Sequence, residues 1–132
     1  MPGIQGVGHV SLTVTDLERA AAFYSKLFDA EVIMSGEDAH GPLTICASAS
    51  IMFGFRSHST TSREDRFDPA RVGLDHVGFH VDSREELERW MERLDEQGVS
   101  NSGIEDDQFG AHLNVKDPDD IAIEFFAPAP ST

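Results

Sequence analysis

Apolar and polar residues alternate along "HVSLTV". Val10, Leu12 and Val14 fall on one face and His9, Ser11 and Thr13 on the other, the period of a strand with one buried side. The period then changes. Leu17, Ala20, Ala21, Tyr24, Leu27 and Phe28 recur at helical spacing, and Thr15 with Glu18 three residues on reads as a capping box, with Asp16 a competing N-cap. Three shorter runs follow, "AEVIMSG" from Ala30, "GPLTICASA" from Gly41 and "SIMFGFRS" from Ser50, which predict the strands of a meander.

The same order is written twice. Sliding the chain on itself by 67 residues aligns Gly6–Val32 with Gly73–Val99 without a gap, and seven of the 27 pairs are identical, His9/His76 and Leu27/Leu94 among them. In the second copy Ser83 and Glu86 form the capping box, and Leu87, Trp90, Met91 and Leu94 the apolar stripe. "GVSNSGIED", "AHLNVKD" and "IAIEFFAP" supply its later strands, with "KDPDD" as a turn before the last. The prediction is βαβββ twice. It is an α+β fold of two modules, 4–56 and 72–128, within a single domain spanning 1–132. The polar stretch 57–71 reads as a linker or a loop over a site, and "APAPST" at the end reads as disordered.

Composition narrows the partners. A length of 132 residues suits one domain with a proper core. Asp and Glu total 24 against 10 Lys and Arg, a net charge of −14 that repels nucleic acid and anionic membranes. A saline habitat, a highly soluble surface or attraction for metals would each account for that charge. No apolar run reaches the length of a membrane span and the start shows no secretory pattern, so a cytoplasmic location is expected. The lone Cys46 cannot form an internal disulfide; it reads as an inert core residue.

Three side chains stand out chemically. His9 and His76 occupy matching places on the face turned away from the apolar residues, and in "IAIEFF" Glu124 shares its face with Ala122 and Phe126, opposite Ile121, Ile123 and Phe125. A carboxylate among apolar neighbours needs a cation, a donor or a raised pKa. Two imidazoles and a carboxylate suit a divalent metal and leave coordination positions open. Singly, each is more often a hydrogen-bonded structural residue; the repeat favours reading them together.

The paired modules, with "GHVSLTVTDLERAAAFYSKLF", "DHVGFHVDSREELERWMERL" and the closing "VKDPDDIAIEFFAP", resemble the vicinal oxygen chelate superfamily, which includes glyoxalase I, bleomycin resistance proteins, fosfomycin thiol transferases and extradiol dioxygenases. The resemblance implies curved mixed sheets around a central cup with helices outside. It implies one divalent metal (Fe, Mn, Zn or Ni) on His9, His76 and Glu124, a small-molecule substrate held through two neighbouring oxygens, and a homodimer. The chemistry would be that of a dioxygenase, lyase or isomerase. The fourth ligand found in glyoxalase I is missing, since Met52 and Gly54 take the inward positions of "SIMFGFRS". The turn "DPDD" also departs from the Gly- and Asn-containing form commoner in that superfamily. His80 and His112 are candidate acid or base groups, and Met52, Gly54, Arg56, His58 and Phe109 candidate substrate contacts. The competing reading is a metal-free drug-binding protein of the bleomycin resistance type, with Phe53, Phe55, Phe109 and Phe126 as its aromatic lining.

Overall fold

The computed structural model describes residues 1–130. In chain order the elements are β1 (Val10–Thr13), α1 (Leu17–Phe28), β2 (Glu31–Asp38), β3 (Gly41–Ala47), β4 (Met52–Arg56), β5 (Val77–His80), α2 (Arg84–Glu96), β6 (Asn101–Asp107), β7 (Gly110–Lys116) and β8 (Ala122–Pro128). They form two four-stranded sheets of identical topology, β1-β4-β3-β2 and β5-β8-β7-β6. Within each, the first strand runs parallel to the last and the other pairings are antiparallel. This is the doubled βαβββ pattern. The chain divides into two compact units, one ending at Asp65 and the other beginning at Arg66.

The division falls inside the stretch 57–71, and each half of that stretch is tied to its own unit. Arg63 reaches Asp16 at 3.2 Å, while the Phe67 amide donates to the Asp119 carbonyl at 2.9 Å. The segment is therefore anchored turn structure rather than a free tether.

Both helices begin where a side-chain oxygen replaces a missing backbone acceptor. In the second unit this is the expected Ser83, whose hydroxyl accepts from the Glu86 amide at 3.1 Å. In the first unit the competing residue prevails. Asp16 is the N-cap, accepting from the Arg19 amide at 3.0 Å, and the Thr15 hydroxyl instead accepts from the Arg19 guanidinium at 2.9 Å. A carboxylate accepts more strongly than a hydroxyl and also suits the positive end of the helix dipole.

Each helix packs its apolar stripe on one face of its own sheet. In the first unit Tyr24 is fully buried, with its ring 4.7 Å from Phe53 and 5.0 Å from Phe55. Phe53 and Phe55 thus belong to the core, which removes them from the aromatic lining a drug-binding reading would use. In the second unit Leu87 and Leu94 of α2 are buried, as are Leu113, Ile123 and Phe125 of the sheet, and Trp90 stacks on Phe125 at 4.3 Å. Burying a side chain of this kind contributes roughly 1.5–3 kcal/mol, so these faces, not helix propensity, hold the units together.

One expectation about the end of the chain needs correction. Ala127 and Pro128 complete β8, and the Ala129 amide donates to the Phe109 carbonyl at 2.9 Å, so order extends past the point where "APAPST" begins. Ser131 and Thr132 of that tail lie outside the described residues. The unusual "DPDD" turn has a local logic. Asp117 is buried and its Oδ1 accepts from the amides of Asp119 and Ile121 at 2.8 and 2.9 Å, while Asp120 adopts a left-handed φ of 67°. Asp tolerates that conformation better than most residues with a Cβ. Among the described residues no helix is long and apolar enough to cross a membrane.

Candidate metal centre

The register of the sheets sets which side chains share the face opposite each helix. In the second unit Gly78 pairs with Glu124 and His80 with Phe126 across β5 and β8, while Asn114 pairs with Glu124 and His112 with Phe126 across β7 and β8. His76 stands immediately before β5. Glu124 is therefore flanked by β5 and β7, and its side chain is 17% exposed.

Two histidines converge on it. His76 Nε2 lies 3.8 Å from Glu124 Oε2, and His76 Nδ1 is 2.7 Å from Asp75 Oδ1. An ionised carboxylate only accepts, so Asp75 favours the tautomer with the proton on Nδ1 and the lone pair on Nε2, the arrangement that suits a metal-bound imidazole. On the other side His112 Nδ1 lies 3.2 Å from Glu124 Oε1, and His112 Nε2 is 2.9 Å from Asp107 Oδ2. The latter is a contact of charges only: Nε2 is buried and makes no hydrogen bond of good geometry. Asp107, against the cost of burial and with help from Glu124, raises the pKa of His112; the same contact, with the amides of Phe109 and Gly110, lowers that of Asp107. His112 thus turns Nδ1 toward Glu124 and Nε2 toward Asp107, so neither nitrogen faces the side of Glu124 that His76 approaches.

In the first unit His9 is exposed just before β1. With Ser11, Leu43, Ile45, Met52, Gly54 and Arg56 it lines a concavity of about 170 Å³. Val10 pairs with Phe53 here as Val77 pairs with Ile123 in the second unit, so Gly54 stands where Glu124 stands in its own sheet. A side chain at Gly54 meets an obstacle: a Cβ there would lie 2.8 Å from Ser11 Oγ. The counterpart of Ser11 is Gly78, which leaves Glu124 its room.

The remaining candidates divide. Arg56 is engaged by Asp38 through two parallel contacts, Nη1 to Oδ1 at 2.9 Å and Nη2 to Oδ2. His80 is exposed at the end of β5 on the Glu124 face. His58 is exposed in a turn closed by Thr61, and Phe109, 64% exposed, caps the β6–β7 hairpin. Cys46 is buried with its sulfur 3.4 Å from Ser25 Oγ. Sequence reasoning overlooked Asp75 and Asp107. Asp75 adjoins a proposed ligand, but Asp107 is one of several acids in "EDD" and only the hairpin brings it to His112.

Among the described residues no three His, Cys, Asp or Glu side chains gather into a ready-made cage. His76 and Glu124 nevertheless suit a divalent ion chemically. Their donor atoms, 3.8 Å apart, lie within twice the bond length of about 2.0–2.2 Å that nitrogen and oxygen ligands make to zinc.

Two helix-backed βαβββ modules, each with a histidine heading its first strand and one with a carboxylate on its last, define the class of protein. The chain belongs to the Glyoxalase/Bleomycin resistance protein/Dioxygenase superfamily, whose family model matches residues 6–125. It is 33% identical over 127 residues to a trivalent organoarsenical cleaving enzyme of Bacillus sp. (strain MD1), covering 89% of this chain and 70% of that one. A glyoxylase/bleomycin resistance protein/dioxygenase domain from Frankia sp. EAN1pec is 30% identical with a TM-score of 0.86, over 98% of this chain and 96% of that. The fold is shared with the genomically encoded fosfomycin resistance protein of Listeria monocytogenes, at 23% identity and a TM-score of 0.71 over 96% and 94% of the two chains.

Proposed function

We propose that this chain is a metal-dependent enzyme in which His9, His76 and Glu124 hold one divalent ion, Fe, Mn, Zn or Ni, and a small substrate binds through two neighbouring oxygens. The observation that carries the reading is the approach of His76 Nε2 to Glu124 Oε2, with Asp75 on the far nitrogen of the imidazole. A structure related at the level of fold, a variant of the Listeria protein, carries Mn(II) with a dihydroxypropylphosphonic acid, a molecule with adjacent hydroxyls.

A bound metal would supply Lewis acidity to the chelated oxygens, and with Fe or Mn a site for dioxygen. The chain's own groups have separable tasks. Asp75 orients His76; the pair Met52 and Gly54 shapes one wall of the concavity near His9; His80, exposed on the Glu124 face, is the candidate for exchanging a proton with substrate. Arg56, paired with Asp38, also lines that concavity. The organoarsenical substrate of the Bacillus relative does not transfer readily. Trivalent arsenic is a soft centre best held by thiolates, and the chain's single thiol is buried in the core.

Elemental analysis of protein purified without chelator should find about one Fe, Mn, Zn or Ni per chain. Glu124→Ala should lose it while keeping its circular dichroism. No metal at isolation and no uptake on titration would refute the proposal. Oxygen consumption on adding a catechol would then separate ring cleavage from isomerase or lyase chemistry. The metal-free drug-binding alternative predicts ligand-induced thermal stabilisation that survives EDTA.

A further inference from the structure

We infer that His112 is the positioning residue of Glu124: it occupies Oε1, is itself held by Asp107, and leaves Oε2 as the single oxygen that Glu124 offers a metal. The inference rests on the metal reading above and adds to it a coordination mode and the residues that enforce it.

The chain of contacts begins in the backbone. Gly110 closes the β6–β7 hairpin at a φ of 150°, where a Cβ would sit 2.2 Å from the Ala127 carbonyl oxygen, so only glycine allows β7 to lie against β8 there. That hairpin fixes Asp107. Its Oδ1 accepts from the amides of Phe109 and Gly110 at 2.8 and 3.2 Å, which turns Oδ2 toward His112 Nε2 at 2.9 Å. The imidazole is steadied from one side by Phe126, 4.9 Å between ring centres, and Nδ1 then meets Glu124 Oε1 at 3.2 Å. His112 and Glu124 are diagonal neighbours across β7 and β8, a spacing that long side chains bridge. Oε2, on the other side, is approached by His76 Nε2 at 3.8 Å.

The consequence is chemical. A carboxylate with one oxygen engaged by a donor binds a metal through the other. Released, it is free to rotate or to engage the ion through both oxygens, closing a position that a two-oxygen substrate needs. His112 therefore acts through Glu124, without touching the metal or the substrate.

The test titrates Mn(II) into the metal-free full chain and follows water-proton relaxation, which reports both the dissociation constant and the exchangeable waters on the ion. His112→Phe should bind Mn(II) about 10–100-fold more weakly, the usual cost of losing a group that orients a ligand. At saturation it should carry fewer exchangeable waters than wild type. His112→Asn, which keeps a donor where Nδ1 stood, should recover most of both. Asp107→Asn keeps an acceptor for the Phe109 and Gly110 amides and should weaken binding several-fold. It carries the test if His112→Phe does not fold. Unchanged affinity and water count in His112→Phe, unchanged affinity in Asp107→Asn, or no recovery in His112→Asn would overturn the inference while leaving the metal reading intact. Failure of wild type to take up any of Mn(II), Fe(II), Zn(II) or Ni(II) would overturn both.

Discussion

The reciprocal placement of a glycine beside each of two matching positions makes a quantitative prediction about the first unit. Gly54 occupies the register of Glu124, and Ser11 that of Gly78. In Gly54→Ala two effects oppose. Replacing glycine within a strand by alanine gains roughly 0.5–1 kcal/mol, chiefly by restricting the unfolded chain. Against this, the new Cβ would stand 2.8 Å from Ser11 Oγ, whereas the next neighbour, Leu43 Cδ1, is at an ordinary 3.8 Å. Overpacking costs about 1–3 kcal/mol, and the low end applies here because the colliding atom is a hydroxyl that can rotate about one bond. Gly54→Ala alone should therefore be neutral to about 0.5 kcal/mol destabilising. In a Ser11→Gly background the obstacle is gone, and the same substitution should stabilise by about 0.5–1 kcal/mol. The assay is a double-mutant cycle by urea denaturation, with a coupling of about 1 kcal/mol expected. If Gly54→Ala has the same effect in both backgrounds to within about 0.5 kcal/mol, Ser11 is not what excludes a side chain from this position.

Two further outcomes follow from single contacts. Arg56 and the His40 amide hold the Asp38 carboxyl well below the usual carboxylate range. A depressed folded pKa stabilises above the unfolded value of about 3.9 and is lost as pH falls through the folded one. The stability advantage of wild type over Asp38→Asn should therefore be present at neutral pH and narrow progressively below about pH 4; an advantage that grows on acidification would refute the pairing. At the start of α1, Asp16→Ala should cost about 1 kcal/mol of stability, while Thr15→Ala, which removes only an exposed bond to Arg19, should cost clearly less in the same melt. The reverse order would return the cap to Thr15.

Much of the architecture was legible because periodicity and repetition are local properties. The alternation in "HVSLTV", the stripe from Leu17 to Phe28, and their second copies reflect which face each element must bury, and any fold that used them had to honour that pattern. The same logic placed Glu124 opposite Ile123 and Phe125, and the structure keeps it there. Phe53 and Phe55 show the limit of counting aromatics: their parity, read from Gly54, assigns them to the helix side.

Other features depend on separations in the chain that only folding closes. The choice of Asp16 over Thr15 as the cap turned on the geometry of one helical turn. The commitment of Arg56 to Asp38 joins residues 18 apart on strands that are not neighbours in the sheet. The sequence by itself determined two βαβββ modules, their core faces and the face on which Glu124 stands, because burial and side-chain parity follow from local order. Only the tertiary structure decided that Asp107 reaches His112 and His112 reaches Glu124. Hydrogen bonds and ion pairs act over a few ångströms, so whether two polar groups meet depends on hairpin geometry and strand register, which composition and spacing do not specify.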